Sequence, residues 1–389
     1  MLRRLAGAGT PLHPVVKADA YGHGAVPIAR ALEGAGADGL CVAALDEAMV
    51  LRGAGIELPI LVLYPIPPAL AGVARRHAIG VTAGDVPLLG ALLAAIDRGG
   101  AENDDPLALH LEVETGLGRG GVAGAELLAA ARSIDASPSA RLVSLWTHLQ
   151  APEDGARTAS QLERFERAAA DLEAAGVSLP GRHLAASAGL LLDGVASLDG
   201  ARPGLAVYGL LPDELLAGAP GSVPAGRPGA VADRPTRSEA AGLRPVLSLH
   251  ARPVRVAEVP AGWGIGYGPT FTTSRPSRIA TLPLGYGDGW PRSLSNRADA
   301  LVRGGRVRLV GNVAMDAVMA DVTDVAGAPV SVDDEFVLLG RQGAEQISAA
   351  DLAAARGSNS WEVVTSLAAR LPRVYHAASV PRETRTLVL

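Results

Sequence analysis

The 389-residue sequence contains very little cysteine, lysine or aromatic side chain. Its one cysteine, Cys41, excludes an intrachain disulfide and a multi-cysteine zinc site, and it favours a reducing, cytoplasmic compartment. No apolar run reaches the roughly 18 residues of a membrane span, and we expect no signal peptide because no apolar region follows the basic start. A formal net charge of −5 argues against nucleic acid or an anionic membrane as the main partner.

The scarcity of lysine gives the first positive indication of function. Of the 35 lysine and arginine residues, only Lys17 is a lysine. Arginine replaces lysine wherever positive charge alone is needed, but it stays protonated and cannot become a neutral amine nucleophile. A lysine kept at a single position therefore indicates amine chemistry there.

The first half of the chain alternates short apolar runs with longer amphipathic stretches, which is typical of strands and helices in turn. The candidate strands lie at 13–19, 38–44, 59–64, 80–83, 107–113, 141–148, 182–187 and in the stretch ending at 202–205. Eight strands with intervening helices predict an α/β fold, a (β/α)8 TIM-like barrel over residues 1–212. The carboxyl ends of its strands are where functional groups should lie.

The rest of the chain has a different character. Residues 213–242 are rich in glycine, proline, alanine and serine, which predicts a flexible linker or loop. Residues 243–389 predict a mostly β C-terminal domain. Its candidate strands are 245–259, 277–284, 306–310 and 335–339, and its two short helices lie near 348–356 and 361–370.

Four residues fit a phosphate-bearing aldehyde cofactor. Lys17 ends the first predicted strand, where an amine can form a Schiff base. Ser187 follows the seventh strand, and Gly204 and Leu205 follow the eighth, where barrels of this type bind phosphate. Taken alone, Ser187 fits a simple helix N-cap as well as a phosphate contact. Gly204 likewise fits an ordinary turn as well as a phosphate contact. The histidines and aspartates show no metal-like spacing, so we predict no metal.

Residues 15–24, VVKADAYGHG, closely resemble the pyridoxal-phosphate attachment motif of alanine racemases. Further segments match that family in order. They are TGLGRGG (115–121), WTH (146–148), ASAG (186–189), RPGLAVYG (202–209), GYGPTF (266–271), GYGDGWPR (285–292) and VAMDA (313–317). The resemblance covers residues 13–376, and several motifs in order are far more specific than any one of them.

The resemblance implies a role for each matching residue. Lys17 would hold pyridoxal 5'-phosphate, and the phosphate would contact Tyr21, Ser187, Gly204 and Leu205. Arg202 would face the pyridine nitrogen, and Arg119 with the backbone of Met315 would hold the substrate carboxylate. Tyr267, donated by the partner subunit of a homodimer, would be the second catalytic base. His148 would support Tyr267 and Arg202, and Tyr286 would help line the entrance.

The implied activity is the interconversion of L-alanine and D-alanine, with D-alanine supplied to peptidoglycan. Racemisation needs two acid/base groups, one on each face of a planar carbanion, and Lys17 and Tyr267 are the two candidates. A racemase of serine or another amino acid remains an alternative, as does a non-catalytic pyridoxal-phosphate-binding protein, although a second domain with Tyr267 argues against the latter. Decarboxylases of the same architecture carry a catalytic cysteine motif that this sequence lacks.

Three positions depart from the family pattern. Glu112 stands where many relatives carry a carbamylated lysine, and because a carboxylate supplies similar negative charge we expect Glu112 to pair with Arg119. Ala369 stands where some relatives have another phosphate-contacting tyrosine. The chain also begins close to Lys17, without the strand and helix that usually precede this lysine, so closure of the barrel is in question.

Overall fold

The computed structural model describes residues 1–7, 9–98, 105–192, 195, 197–216, 242–377 and 380–386. Among these, residues 1–207 belong to one compact unit, and residues 208–216 together with those from 244 onward belong to a second. Within the described ranges, no helix combines the length and the apolar character needed to cross a membrane.

The first unit alternates strands and helices. Its strands are β1 (Leu40–Val42), β2 (Ile60–Val62), β3 (Ile79–Ala83), β4 (Leu107–Glu112), β5 (Ala140–Trp146) and β6 (Arg182–His183). Its helices are α1 (Leu2–Ala6), α2 (Lys17–Tyr21), α3 (Ala25–Gly34), α4 (Leu45–Gly53), α5 (Ala71–Arg76), α6 (Val86–Arg98), α7 (Ala125–Ala136), α8 (Gly155–Ala174) and α9 (Ser187–Leu191). The six strands pair in parallel in sequence order.

The apolar runs form strands because both faces of the sheet are covered. Every residue of β1, β2 and β3 is buried, as expected for parallel strands with helices outside and packed side chains inside. The helices show one apolar face: in α8, Phe165, Ala169 and Leu172 are buried at helical spacing. The side chain of Asp154 caps this helix by accepting a hydrogen bond from the backbone N–H of Arg157.

Isolated bridges join the two edges of the parallel sheet. Val15 pairs with Cys41 of β1, Leu12 pairs with Ala201, and Ala185 beyond β6 also pairs with Ala201. The predicted barrel is thus confirmed, with six strands and two further strand positions near residues 12–15 and 201. Hydrogen bonds such as His13 N–H to Ala201 O (2.8 Å) close the ring despite the short segment before Lys17.

The second unit is mostly antiparallel sheet, as predicted. Its strands are β7 (Leu249–Ala251), β8 (Arg255–Val259), β9 (Ser277–Leu282), β10 (Asp299–Val302), β11 (Gly305–Val310), β12 (Val318–Asp321), β13 (Phe336–Gln342), β14 (Glu345–Ile347), β15 (Arg373–Ala377) and β16 (Val380–Arg385). Its helices are α10 (Ala349–Arg356) and α11 (Ser360–Thr365). The main sheet runs in the order β14-β13-β10-β11-β12-β9-β8, β7 pairs with β13, and β15 and β16 form a hairpin.

Two expectations for the second half need adjustment. The single predicted strand 245–259 is divided into β7 and β8, which lie at different places in the sheet. Pro253 lies at the break and has no backbone N–H to donate to a neighbouring strand. Most of the predicted linker, residues 217–241, lies outside the described residues. Its first residues, Asp213–Leu215, form a 3-10 turn, and Asp213 accepts a hydrogen bond from the backbone N–H of Ser360 (2.7 Å).

Acid should destabilise the fold through histidines of the barrel. Burial lowers the pKa of His13 and His183, and it lowers the pKa of His110 and His148 to about 3. The unfolded chain takes up protons on these side chains as the pH falls below about 6.5, whereas the folded chain does not. The unfolding free energy should therefore fall between pH 6.5 and pH 3, by up to about 1.4 kcal/mol per pH unit for each histidine.

Urea unfolding at pH 7.5 and pH 5 measures this loss. We expect His110→Gln to lose less stability than the wild-type protein over that interval, because it removes one buried titrating group. His77→Gln, which changes an exposed histidine, serves as the matched control and should keep the wild-type pH dependence. Equal pH dependence in His110→Gln and the wild type would contradict the expectation.

Candidate active site

Lys17 follows the first strand position of the barrel, as predicted, but the strand ends earlier than residue 19. Ala18, Asp19, Ala20 and Tyr21 all have φ between 52° and 54°, a left-handed turn, and Gly22 ends it with φ 78°. Such a conformation costs residues with a Cβ about 1–2 kcal/mol each. Strained backbone of this kind is characteristic of functional sites and requires support from the surrounding structure.

Two carboxylates provide that support. Glu47 of α4 accepts hydrogen bonds from the backbone N–H groups of Ala18 (2.6 Å) and Ala43 (2.7 Å), which joins the turn to the loop after β1. Asp19 accepts one from the backbone N–H of Ala25 at the start of α3 (2.8 Å). The left-handed turn is thereby fixed to two neighbouring βα segments of the barrel.

The environment of Lys17 favours its neutral form. Burial lowers the pKa of its amine, and the positive charge of Arg119 lowers it further, against the opposing effect of Glu47. A neutral amine is the form that reacts with an aldehyde and that accepts a proton. The electrostatics at Lys17 thus agree with the chemistry expected from its uniqueness in the sequence.

Hydroxyl and amide groups cluster where the sequence predicts phosphate contacts. The Ser187 hydroxyl, at the start of α9, accepts hydrogen bonds from the backbone N–H groups of Gly204 (2.9 Å) and Ala206 (3.1 Å). A Cβ at Gly204 would lie 2.6 Å from the hydroxyl of Tyr21, so only glycine leaves room for this tyrosine. Leu205 begins a buried 3-10 turn between these amides.

Arg202 is almost completely buried, with 3% of its surface exposed. Its guanidinium donates to Nδ1 of His183 and to the backbone oxygen of Thr147 (2.8 Å), and it lies 4.7 Å from the ring centre of Trp146. Burial lowers its pKa to about 10. Arg202 therefore remains a cation at neutral pH, held in a defined plane inside the barrel.

His148 follows β5, whose last residue is Trp146. Burial, with the positive charges of Arg202, Arg119 and Lys17, lowers its pKa to about 3. It is therefore neutral at physiological pH. His148 can therefore support its neighbours by hydrogen bonding as a neutral imidazole, and it does not add a positive charge to that of Arg202.

Glu112 and Arg119 form the predicted pair. Glu112 is the last residue of β4, and its carboxylate accepts a hydrogen bond from the Arg119 guanidinium at 3.4 Å. Burial raises the pKa of Glu112, and Arg119 opposes that rise. The Arg119 guanidinium also lies 5.6 Å from the ring centre of Tyr64. Two partners thus hold a cation that belongs to the glycine-rich loop 115–121.

In the second unit, Tyr267 lies on an exposed turn. Its side chain is 81% exposed, and the flanking Gly266 and Gly268 have φ of 79° and 50°. The Asn312 amide donates to the backbone oxygens of Tyr267 and Gly268, both at 2.9 Å. The turn is therefore fixed through its backbone, and the phenol is presented away from its own unit.

Met315 and Tyr286 lie on adjoining loops of the same unit. The backbone N–H of Tyr286 donates to Ala314 O (3.0 Å). Arg370 links the two loops by pairing with Asp288 (2.6 Å) and Asp316 (2.7 Å). Since Asn312 holds the Tyr267 turn, one short segment, 312–316, connects all three of the predicted residues of this unit.

The predicted residues therefore fall into two groups. The first unit holds Lys17, Tyr21, Arg119, His148, Ser187, Arg202, Gly204 and Leu205 around the carboxyl ends of its strands, and the second unit holds Tyr267, Tyr286 and Met315. Sequence reasoning missed Glu47, Asp19 and Arg370, because a single acidic or basic residue gives no signal until its partner is known. The described residues include no group of three or more potential metal ligands.

Comparison with known proteins gives one consistent result. The family description "Alanine racemase, N-terminal domain" matches residues 1–212, and "Alanine racemase, C-terminal domain" matches residues 246–375. The alanine racemase of Symbiobacterium thermophilum is 42% identical over 376 residues, 96% of this chain and 92% of that protein. That of Sorangium cellulosum is 39% identical over 386 residues, covering 96% and 94%.

Solved structures agree with the sequence comparisons. The crystal structure of alanine racemase from Bacillus anthracis with bound L-Ala-P has a TM-score of 0.86 at 30% identity, covering 100% of this chain and 94% of that chain. Alanine racemase from Streptomyces coelicolor A3(2) has a TM-score of 0.83 at 33% identity, covering 96% and 93%.

Proposed function

The chain belongs to the alanine racemase family, and from that membership we propose that it interconverts L-alanine and D-alanine with Lys17 and Tyr267 as the two acid/base groups. We further propose that it uses pyridoxal 5'-phosphate, acts as a homodimer with shared active sites, and supplies D-alanine for peptidoglycan. The observation that carries the proposal is the position of Lys17, the sole lysine, half-buried on a left-handed turn at the barrel mouth.

The residues of the first unit fit pyridoxal phosphate. The hydroxyls of Tyr21 and Ser187 lie beside Gly204, and a phosphate would take hydrogen bonds from these hydroxyls and compete with the Ser187 oxygen for the backbone amides of Gly204 and Ala206. Arg202 is the buried cation that would face the pyridine nitrogen. When bound, the cofactor supplies an electron sink for the substrate α-carbon.

The protein's own residues then have three tasks. Arg119, oriented by Glu112, binds the substrate carboxylate together with the backbone of Met315. Lys17 Nζ, whose pKa is lowered by burial, exchanges a proton with one face of the α-carbon. Tyr267 of the partner subunit exchanges a proton with the opposite face through its phenol oxygen.

The direct test is an assay of the purified protein with L-alanine and pyridoxal phosphate. We expect D-alanine to form and both enantiomers to reach equal amounts, and we expect L-serine to be converted more slowly. Faster conversion of serine would favour a serine racemase. Bound pyridoxal phosphate without conversion of any amino acid would favour a non-catalytic carrier and contradict the proposal.

Removing the charge of Glu112 should weaken substrate binding. In Glu112→Gln, Arg119 loses a charge-assisted partner and is less well oriented toward the substrate carboxylate, so we expect KM for alanine to rise about fivefold. The turnover number should change less, because the acid/base groups are untouched. Steady-state kinetics measure this, with exposed Glu126→Gln on α7 as the charge-matched control. An unchanged KM in Glu112→Gln would show that the pair has no part in substrate binding.

A further inference from the structure

A row of buried polar side chains crosses the interior of the barrel and ends at Arg202. Nδ1 of His110 on β4 lies 2.7 Å from the hydroxyl oxygen of Ser144 on β5. The same hydroxyl lies 2.9 Å from Nε2 of His183 on β6, and Nδ1 of His183 contacts the Arg202 guanidinium. All four residues are buried, and three of them play no part in the function proposed above.

The donor and the acceptor of each hydrogen bond in this row can be assigned by starting from Arg202, the last residue of the row. A guanidinium is only a donor, so Nδ1 of His183 must accept, and a neutral His183 then carries its proton on Nε2. Nε2–H of His183 donates a hydrogen bond to the Ser144 oxygen, and the Ser144 hydroxyl donates its own hydrogen to Nδ1 of His110. His110 must in turn carry its proton on Nε2. Burial lowers the pKa of both imidazoles, which agrees with their neutral forms.

Two features of the barrel keep the row in place. The indole of Trp146 stacks on His183, with ring centres 6.2 Å apart and an interplanar angle of 11°, and it also lies under Arg202. At the other end, a Cβ on residue 80 would lie 2.7 Å from Nε2 of His110, so Gly80 of β3 leaves space for this ring. The imidazoles can therefore rotate little, and Ser144 is the one link between them within the row.

We propose that Ser144 and His110 are positioning residues for Arg202. By fixing His183 as an acceptor on the side of Arg202, they hold the guanidinium in one orientation, in which it would face the pyridine nitrogen of the cofactor. The inference rests on the proposed function for the identity of that cofactor. Residues that act on a functional side chain through an intervening hydrogen-bond partner commonly set the orientation and the protonation of that side chain.

The first test needs neither cofactor nor activity. Nitrogen-15 NMR of the cofactor-free wild-type protein should show His183 and His110 as neutral imidazoles protonated on Nε2. A protonated Nδ1 on either ring would overturn the proposal, whether or not the protein proves to be a racemase. Failure of the proposed function would appear separately, as the absence of alanine racemisation with this tautomer pattern intact.

The second test uses a matched pair of variants at residue 144. Ser144→Thr and Ser144→Val add side chains of nearly the same shape, but only threonine retains the hydroxyl. We expect Ser144→Val to reduce kcat on the order of tenfold and to weaken pyridoxal-phosphate binding by a similar factor, with KM for alanine little changed. Ser144→Thr should stay near the wild type. Equal kcat and cofactor affinity in the two variants would refute the positioning role, and Ser144→Ala provides the same comparison if the larger side chains do not fold.

Discussion

Lys17→Ala should abolish covalent attachment of the cofactor and reduce racemisation by more than about 10⁴-fold, since one substitution removes both a nucleophile and a proton carrier. Lys17→Arg is the decisive comparison, because it retains positive charge but cannot supply a neutral amine. We expect it to be as inactive as Lys17→Ala. Absorbance near the edge of the visible range and D-alanine formation measure the two losses.

The site of cofactor attachment can be checked directly in this protein. Because Lys17 is the sole lysine, borohydride reduction of the wild-type protein with its cofactor should fix the cofactor to one peptide containing residue 17. Circular dichroism of the variants controls for folding. Substantial activity in Lys17→Arg, or a reduced cofactor attached elsewhere on the chain, would contradict the role given to this amine.

Tyr267→Phe should reduce racemisation by about 10²–10⁴-fold, the usual contribution of one positioned acid/base group. The variant should still exchange the α-proton of one enantiomer with solvent, because Lys17 continues to serve one face. Proton NMR of D-alanine and L-alanine in D2O separates the two effects. Exchange of one enantiomer without interconversion is the expected result.

Tyr375→Phe, on β15 of the same unit, is the matched control and should retain wild-type rates. A Tyr267→Phe protein that racemises alanine at the wild-type rate would remove Tyr267 from the mechanism. Exchange of both enantiomers at equal, undiminished rates would instead point to a single group that serves both faces.

The strands of the barrel could be predicted from the sequence because parallel strands are buried on both faces. Runs such as those of β1 and β2 have no polar alternation, and the intervening helices show a single apolar face. Helix α10 was predicted to within one residue, whereas α11 starts near the predicted residue 361 but ends at Thr365, before the predicted end at 370. Pro253 marks the division of 245–259 into two strands locally, but the neighbours with which each half pairs are not encoded there.

The proposed site residues could also be predicted, from motifs in a fixed order, but their supporting contacts could not. The left-handed turn after Lys17 depends on a carboxylate 29 residues away, Glu47. The bonds from Ser144 to His110 and His183 join residues 34 and 39 positions apart. Likewise, the neutrality of His148 follows from burial among cations, which no local pattern reveals.

The most direct test of the account is complementation between two inactive variants. Lys17→Ala and Tyr267→Phe chains, carrying different tags, would be mixed under conditions that exchange subunits, and D-alanine formation would be measured on the purified hybrid and on the mixture. If each active site takes Lys17 from one subunit and Tyr267 from the other, every hybrid dimer has one intact site, and a random mixture recovers about a quarter of the wild-type activity. A hybrid dimer no more active than its parents would contradict a site shared in this way.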